Sequence, residues 1–147
     1  MIDNAITCVQ FRARNAKIEI RRDCDDIAFD ADPDRLVQVM TNLLTNAIKF
    51  SPQDSIVEVH AVRGPGGITT FAVEDQGRGV PEDKLAKIFM RYEQVELSDS
   101  TQKQGTGLGL AICRTIVEAH GGEIWAENNG AKGARFSFSI EKPSPHA

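Results

Sequence analysis

Along residues 34–50, DRLVQVMTNLLTNAIKF, polar and apolar positions separate with the period of a helix. At about 100° per residue, Arg35, Gln38, Asn42, Asn46 and Lys49 fall within a stripe roughly 80° wide. Leu36, Val37, Val39, Met40, Leu43, Leu44, Ala47 and Ile48 cover most of the remaining surface, as on a helix packed inside a protein. Asp32 is a good N-cap and Pro33 suits the first helical position, so the helix is predicted to run from there to about Phe50, with Ser51-Pro52 ending it. A second helix is predicted over Asp3–Ala16, with Ile6, Val9 and Ala13 on one face. It opens almost at the first residue, as expected of a chain whose upstream part has been removed. A third spans roughly Gly107–His120 and stops at Gly121-Gly122, and a short one follows Pro81 over Glu82–Phe89.

Strand patterns lie at Lys17–Arg22, Ile27–Phe29, Ile56–Val62, Ile68–Glu74, Glu123–Glu127 and Ala134–Ile140. Turns at Gly64–Gly67 and Asn128–Gly133 make two of the connections hairpins. Trp125 and most of the last two strands read as sheet core. Helices interleaved with hairpins give an α+β fold: a two-layer α/β sandwich, its sheet mixed and mostly antiparallel, with helices on one face. Residues 1–142 read as one domain and 143–147 as a tail. Met90–Gly105 is polar and aperiodic, a long loop of the kind found over a binding site.

Composition narrows the function. The chain has 147 residues, a net charge of -4 and 26% charged residues, which disfavours a nucleic-acid partner needing clustered Lys and Arg. No apolar run approaches the roughly 20 residues of a membrane span, so no membrane contact is expected. Cys8, Cys24 and Cys113 are odd in number and lack metal or disulfide spacing; they are expected to be buried or half-buried thiols, as in a cytoplasmic protein.

The polar stripe carries the first candidate chemistry. A narrow polar stripe on such a helix should face a cavity or other buried polar groups, because an unpaired buried amide costs about 1–3 kcal/mol. Asparagine carbonyls can join a Mg²⁺ shell and Lys49 can reach a phosphate. Asp75-Gln76-Gly77-Arg78-Gly79-Val80 follows a strand, where glycines admit a flat ligand and a carboxylate can accept from an exocyclic amine; a plain turn explains it equally well. Gly105-Thr106-Gly107-Leu108-Gly109-Leu110 enters a helix whose first-turn amides favour anions, although a hinge would use the same glycines. Gly133 before Ala134-Arg135-Phe136 offers a third approach point, for which a hairpin turn also accounts.

Together these segments resemble the catalytic ATP-binding domain of sensor histidine kinases, of the Bergerat type shared with gyrase, Hsp90 and MutL. Asn42–Phe50 resembles the N box, Asp75–Gly79 the first glycine box, Phe89 the F box, Gly105–Leu110 the second glycine box and Gly133–Phe136 the last. The resemblance implies ATP and Mg²⁺ as cofactors. It gives Asp75 the adenine amino group, Asn46 the Mg²⁺, and Asn42 and Lys49 the phosphates. Gly77 and Gly79 would admit the base, with Val80, Ile88 and Phe89 as walls. Residues 90–104 would form an ATP lid, and Thr106, Gly107, Leu108, Gly109 and Leu110 would cover the phosphates. Where many relatives carry an F-box Arg, this chain has Gln94; Arg91 and Lys103 are the nearby cations that could replace it. The Glu93-Gln94-Val95 form resembles a subset that includes many hybrid kinases.

Relatives that hydrolyse ATP carry a general-base Glu where this chain has Asn42, so negligible hydrolysis is expected. The resemblance implies a phosphoacceptor histidine on a separate helical dimerisation domain, in a kinase that is a homodimer at full length and acts on a response regulator. His60, His120 and His146 do not resemble an acceptor box and are expected to be structural or exposed. A cytoplasmic location is implied for this domain, whether or not the full-length protein is membrane-anchored. The alternatives are a serine-kinase anti-sigma factor of the same fold and a non-catalytic nucleotide-binding regulator.

Overall fold

The apolar face of the long helix becomes the centre of the core. In α2 (Pro33–Phe50), Leu36, Val39, Met40, Leu43, Leu44, Ala47 and Ile48 are all buried. Helix α1 (Ile2–Asn15) packs on one side of it through Ala5, Val9 and Ala13. Helix α3 (Gly109–Ala119) packs on the other through Cys113, Ile116 and Val117. The computed structural model describes residues 2–23, 33–77, 79, 85, 88–89, 109–128 and 133–141.

Beneath the helices lies a five-stranded sheet built from β1 (Glu19–Asp23), β2 (Ile56–Arg63), β3 (Ile68–Glu74), β4 (Ile124–Asn128) and β5 (Ala134–Glu141), in the order β1-β2-β3-β5-β4. Strands β1 and β2 run parallel, with α2 in the connection between them, and the other pairs are antiparallel. The period-2 pattern turns Val57 and Val59, Phe71 and Val73, and Phe136, Phe138 and Ile140 toward the helices, where all are buried. Phe71 and Phe138 stack with centroids 4.9 Å apart. Each such buried side chain contributes about 1.5–3 kcal/mol. The α+β fold class and the one-sided placement of the helices agree with the sequence expectation.

Three expectations change. The first strand starts at Glu19, not Lys17, because Lys17 takes a left-handed conformation (φ 57°) while the Ile18 amide donates back to Ala13 across 2.9 Å. That reversal ends α1 and drops the chain into the sheet. Trp125 is not core. Its strand register places Ile124 and Ala126 opposite Phe138 and Phe136 on the helix side, so Trp125 sits opposite Ser137 on the other face, where its Nε1 donates to Glu127. Cys8 is exposed on α1, whereas Cys113 is buried as expected. The expected strand at 27–29, Cys24, most of the 82–89 helix, the loop at 90–104 and the tail lie outside the described residues.

Candidate functional site

Strand β3 ends by delivering a carboxylate into the interior. Asp75 is only 4% exposed. Its Oδ1 accepts from the Gly77 amide at 2.9 Å and the Ala134 amide at 3.2 Å, while its own amide donates to the Ala134 carbonyl at 2.9 Å. Burial raises its carboxyl above the ordinary 3.8, and the amide bonds from Gly77 and Ala134 act against that rise. Among the described residues no cation pairs with it, and a carboxylate buried in that way is an expensive feature that fold stability alone does not require.

Two glycines make this placement possible. A Cβ on Gly77 would overlap the carbonyl oxygen of Phe50, the last residue of α2, and come within 3.2 Å of Asp75 Oδ1. A Cβ on Gly133, whose φ is +93°, would overlap the Asp75 carbonyl oxygen and lie 2.9 Å from its carbon. The 75–77 loop is thus wedged between the end of α2 and the start of β5. Gly133 is a close-approach glycine, which a hairpin turn alone does not explain. Gly79 (φ +81°) approaches the Asn128 side chain and the Gly133 carbonyl.

The polar stripe of α2 leads away from this loop toward α3. Asn42, Asn46 and Lys49 are all half-buried. Asn42 Nδ2 lies 3.5 Å from the Gly109 carbonyl at the start of α3 and 3.6 Å from Cys113 Sγ. Cys113 in turn reaches the Val39 carbonyl at 3.8 Å. Burial pushes its thiol up to about 11, against the Asn42 hydrogen bond that lowers it, so the group stays neutral and serves as a polar spacer between helices. Lys49 Nζ lies 5.8 Å from the centre of the Phe50 ring. At the other end of the stripe, Arg35 is exposed and lies 3.4 Å from Gln38.

Ile88 and Phe89 are buried in the core, and Phe89 meets Phe136 of β5 edge-on at 6.1 Å. Gly109 and Leu110 form the first turn of α3. Val80, Arg91, Gln94, Lys103, Gly105, Thr106, Gly107 and Leu108 lie outside the described residues. His120 is tied by Nδ1 to the Ile116 carbonyl at 2.8 Å, a structural role, and His60 lies on the sheet face away from the helices. Sequence reasoning placed Ala134 only within the last glycine box and gave it no role, because its contribution is purely backbone, and it read Cys113 as no more than a buried thiol.

Residues 31–144 match the family described as histidine kinase-, DNA gyrase B-, and HSP90-like ATPase, and the chain belongs to that family. Within it the similarity is to sensor histidine kinases. The chain is 43% identical over 129 residues to sensor protein KdpD of Clostridium acetobutylicum, covering 88% of this chain and 14% of that protein. The catalytic domain of histidine kinase ThkA in a nucleotide-free form matches with a TM-score of 0.82 at 30% identity, covering 96% of this chain and 91% of that one. Full-length ShkA in complex with AMPPNP matches with a TM-score of 0.83 at 31% identity, covering 97% of this chain and 29% of that one. ThkA in complex with response regulator protein TrrA also matches, with a TM-score of 0.78 at 28% identity over 97% of this chain and 39% of that one. The chain spans between 14% and 28% of the length of the curated relatives KdpD and SasA. No helix among the described residues is long and apolar enough to cross a membrane.

Proposed function

We propose that this chain binds Mg-ATP and donates its γ-phosphoryl group to a histidine on a dimerisation domain, as the catalytic half of a sensor histidine kinase. The observation that carries this reading is the buried Asp75 carboxylate, fixed by two backbone amides on Oδ1 and therefore able to offer Oδ2 to an exocyclic amine. A phosphate-rich tail would extend from that base along the α2 stripe toward Gly109. Asn42 and Lys49 would hold phosphate oxygens there, with Arg91 or Lys103 as the cation that replaces the F-box Arg.

Asn46 is the residue that would hold Mg²⁺. Magnesium is usually held by one or two protein oxygens plus phosphates and water, which suits one half-buried amide carbonyl on this stripe. The bound ion supplies charge neutralisation of the phosphates. What remains for the chain is positioning, which dominates phosphoryl transfer. The incoming imidazole nitrogen forms the new P–N bond as the bond to the β-phosphate oxygen breaks and ADP leaves. Water is a poor competitor because Asn42 cannot act as a general base. The KdpD, ThkA and ShkA similarities support this function, and ThkA's complex with TrrA supports a response regulator as the downstream partner.

Mixing the chain with a separately purified histidine-bearing dimerisation domain and γ-labelled ATP should put acid-labile label on that domain, with negligible ATP turnover by the chain alone. Tight ATP binding with no transfer would favour the non-catalytic regulator, a reading motivated by Gln94; acid-stable label on serine would favour the anti-sigma kinase. Asn46→Ala should raise the Mg²⁺ concentration for half-maximal ATP binding by about tenfold, the equivalent of 1.4 kcal/mol. An identical Mg²⁺ titration would remove Asn46 from the metal shell.

A further inference from the structure

The sheet face opposite the helices carries a cluster that the nucleotide site does not use. Strands β1 and β2 pair in parallel with Asp23 beside His60, and Glu58, two residues before His60, points to the same side. The intervening Val59 is buried against the helices, which fixes Glu58 and His60 outward. One donor atom each from Asp23, Glu58 and His60 lies within 4.8 Å of the others, and His60 Nδ1 is 3.5 Å from Asp23 Oδ2. We propose that Asp23, Glu58 and His60 form a Zn²⁺ site, separate from the nucleotide pocket and on the other side of the sheet.

Tetrahedral zinc with bonds of about 2.0–2.2 Å sets its ligands roughly 3.3 Å apart. The observed spacing therefore needs about 1.5 Å of closure at most, within reach of one carboxylate rotation. His60 and Asp23 already stand near that separation, at 3.5 Å, so the closure falls to the carboxylate of Glu58, half-buried on the same face. A second feature points the same way. His60 Nε2 is shielded from solvent and lacks a hydrogen-bond partner, yet it faces Glu74 Oε1 at 3.9 Å. Glu74 is itself anchored by Arg135 at 2.7 Å. Metal on Nδ1 fixes the tautomer with the proton on Nε2, and a small ring shift then gives that proton to Glu74. This is the carboxylate–histidine–metal arrangement that orients ligating imidazoles.

An imidazole with two carboxylates and an open fourth position suits Zn²⁺ rather than Mg²⁺ or Ca²⁺, which take oxygen shells. Simple charge pairing of a protonated His60 with the same carboxylates needs no ion and is the alternative to separate. The test is a calorimetric titration of the metal-stripped chain with Zn²⁺ in the absence of nucleotide. One equivalent should bind with micromolar affinity and raise the melting temperature. Asp23→Asn, at an exposed side chain that the fold does not need, and His60→Gln should each weaken binding at least tenfold, with a smaller loss for Glu74→Gln. Failure to bind zinc, or binding that Asp23→Asn and His60→Gln both retain, overturns the site.

Discussion

Replacing Asp75 with asparagine is expected to weaken ATP binding by roughly tenfold to a hundredfold while leaving the fold intact or slightly more stable. A hydrogen bond to a charged group is worth about 1.5–3 kcal/mol, and each 1.4 kcal/mol is about tenfold in affinity. The structure also dictates which way the new amide turns. Its oxygen must stay on the Gly77 and Ala134 amides that now bond Oδ1. Its NH₂ therefore replaces Oδ2 and meets the adenine amino group donor to donor, so the loss should lie toward the upper end. Stability moves the other way. Burial raises the folded-state pKa of Asp75 above 3.8, so between 3.8 and that raised value the folded chain holds more proton than the unfolded chain. Stability due to this group thus falls as pH rises through the window and stays lowered above it. Asparagine never ionises, so its advantage should be present at neutral pH and vanish below 3.8. Urea unfolding at both pH values, with ATP competition binding at neutral pH, checks both halves. An unchanged ATP affinity would remove Asp75 from base recognition, and a large loss of stability would make it a structural group.

How far the sequence reaches can be judged at particular residues. Helix α2 was legible in full because 18 residues repeat one amphipathic pattern between a proline start and a Ser-Pro stop. Asp75 stood out by its position at a strand end before a glycine. Its burial did not, because burial depends on Gly133 and Ala134, 58 and 59 residues further along the chain. Trp125 was misplaced because β4 is only five residues long and Ile124, Trp125 and Ala126 are all half-buried, so no alternation marks its inner face and only its partner strand fixes the register. The Asn42–Cys113 contact joins two helices 71 residues apart, and periodicity within either helix says nothing about which residues face each other. Local pattern therefore gave the elements and most of their chemistry, while the tertiary contacts that orient that chemistry needed the fold.

Gly133→Ala should be among the most damaging single-methyl changes available in the described chain. At φ +93° an L-residue is strained, which costs about 1–3 kcal/mol. The methyl would also overlap the Asp75 carbonyl oxygen and sit 3.0 Å from the Gln76 Cα. Those are backbone atoms and cannot rotate away, so β5 must part from the loop, at a further cost of about 1–3 kcal/mol. Together these give roughly 3 kcal/mol or more, or a melting temperature lower by about 10 °C at 2–4 °C per kcal/mol. Two other glycines separate the causes. Gly66 (φ +74°) has open space around its Cβ position, so Gly66→Ala carries the φ strain alone. Gly109 has open space and no positive φ, and opens a helix where alanine is favoured by about 1 kcal/mol, so Gly109→Ala should leave the fold unharmed. The melting temperatures should therefore fall in the order Gly109→Ala, Gly66→Ala, Gly133→Ala. Of the two variants with positive φ, only Gly133→Ala should also lose ATP affinity while still folded, because parting β5 from the loop withdraws the Ala134 amide from Asp75 and frees the carboxylate to turn. Equal melting temperatures for Gly66→Ala and Gly133→Ala would mean that the loop and β5 separate at no cost. The buried carboxylate would then need another explanation than the backbone clamp that holds it.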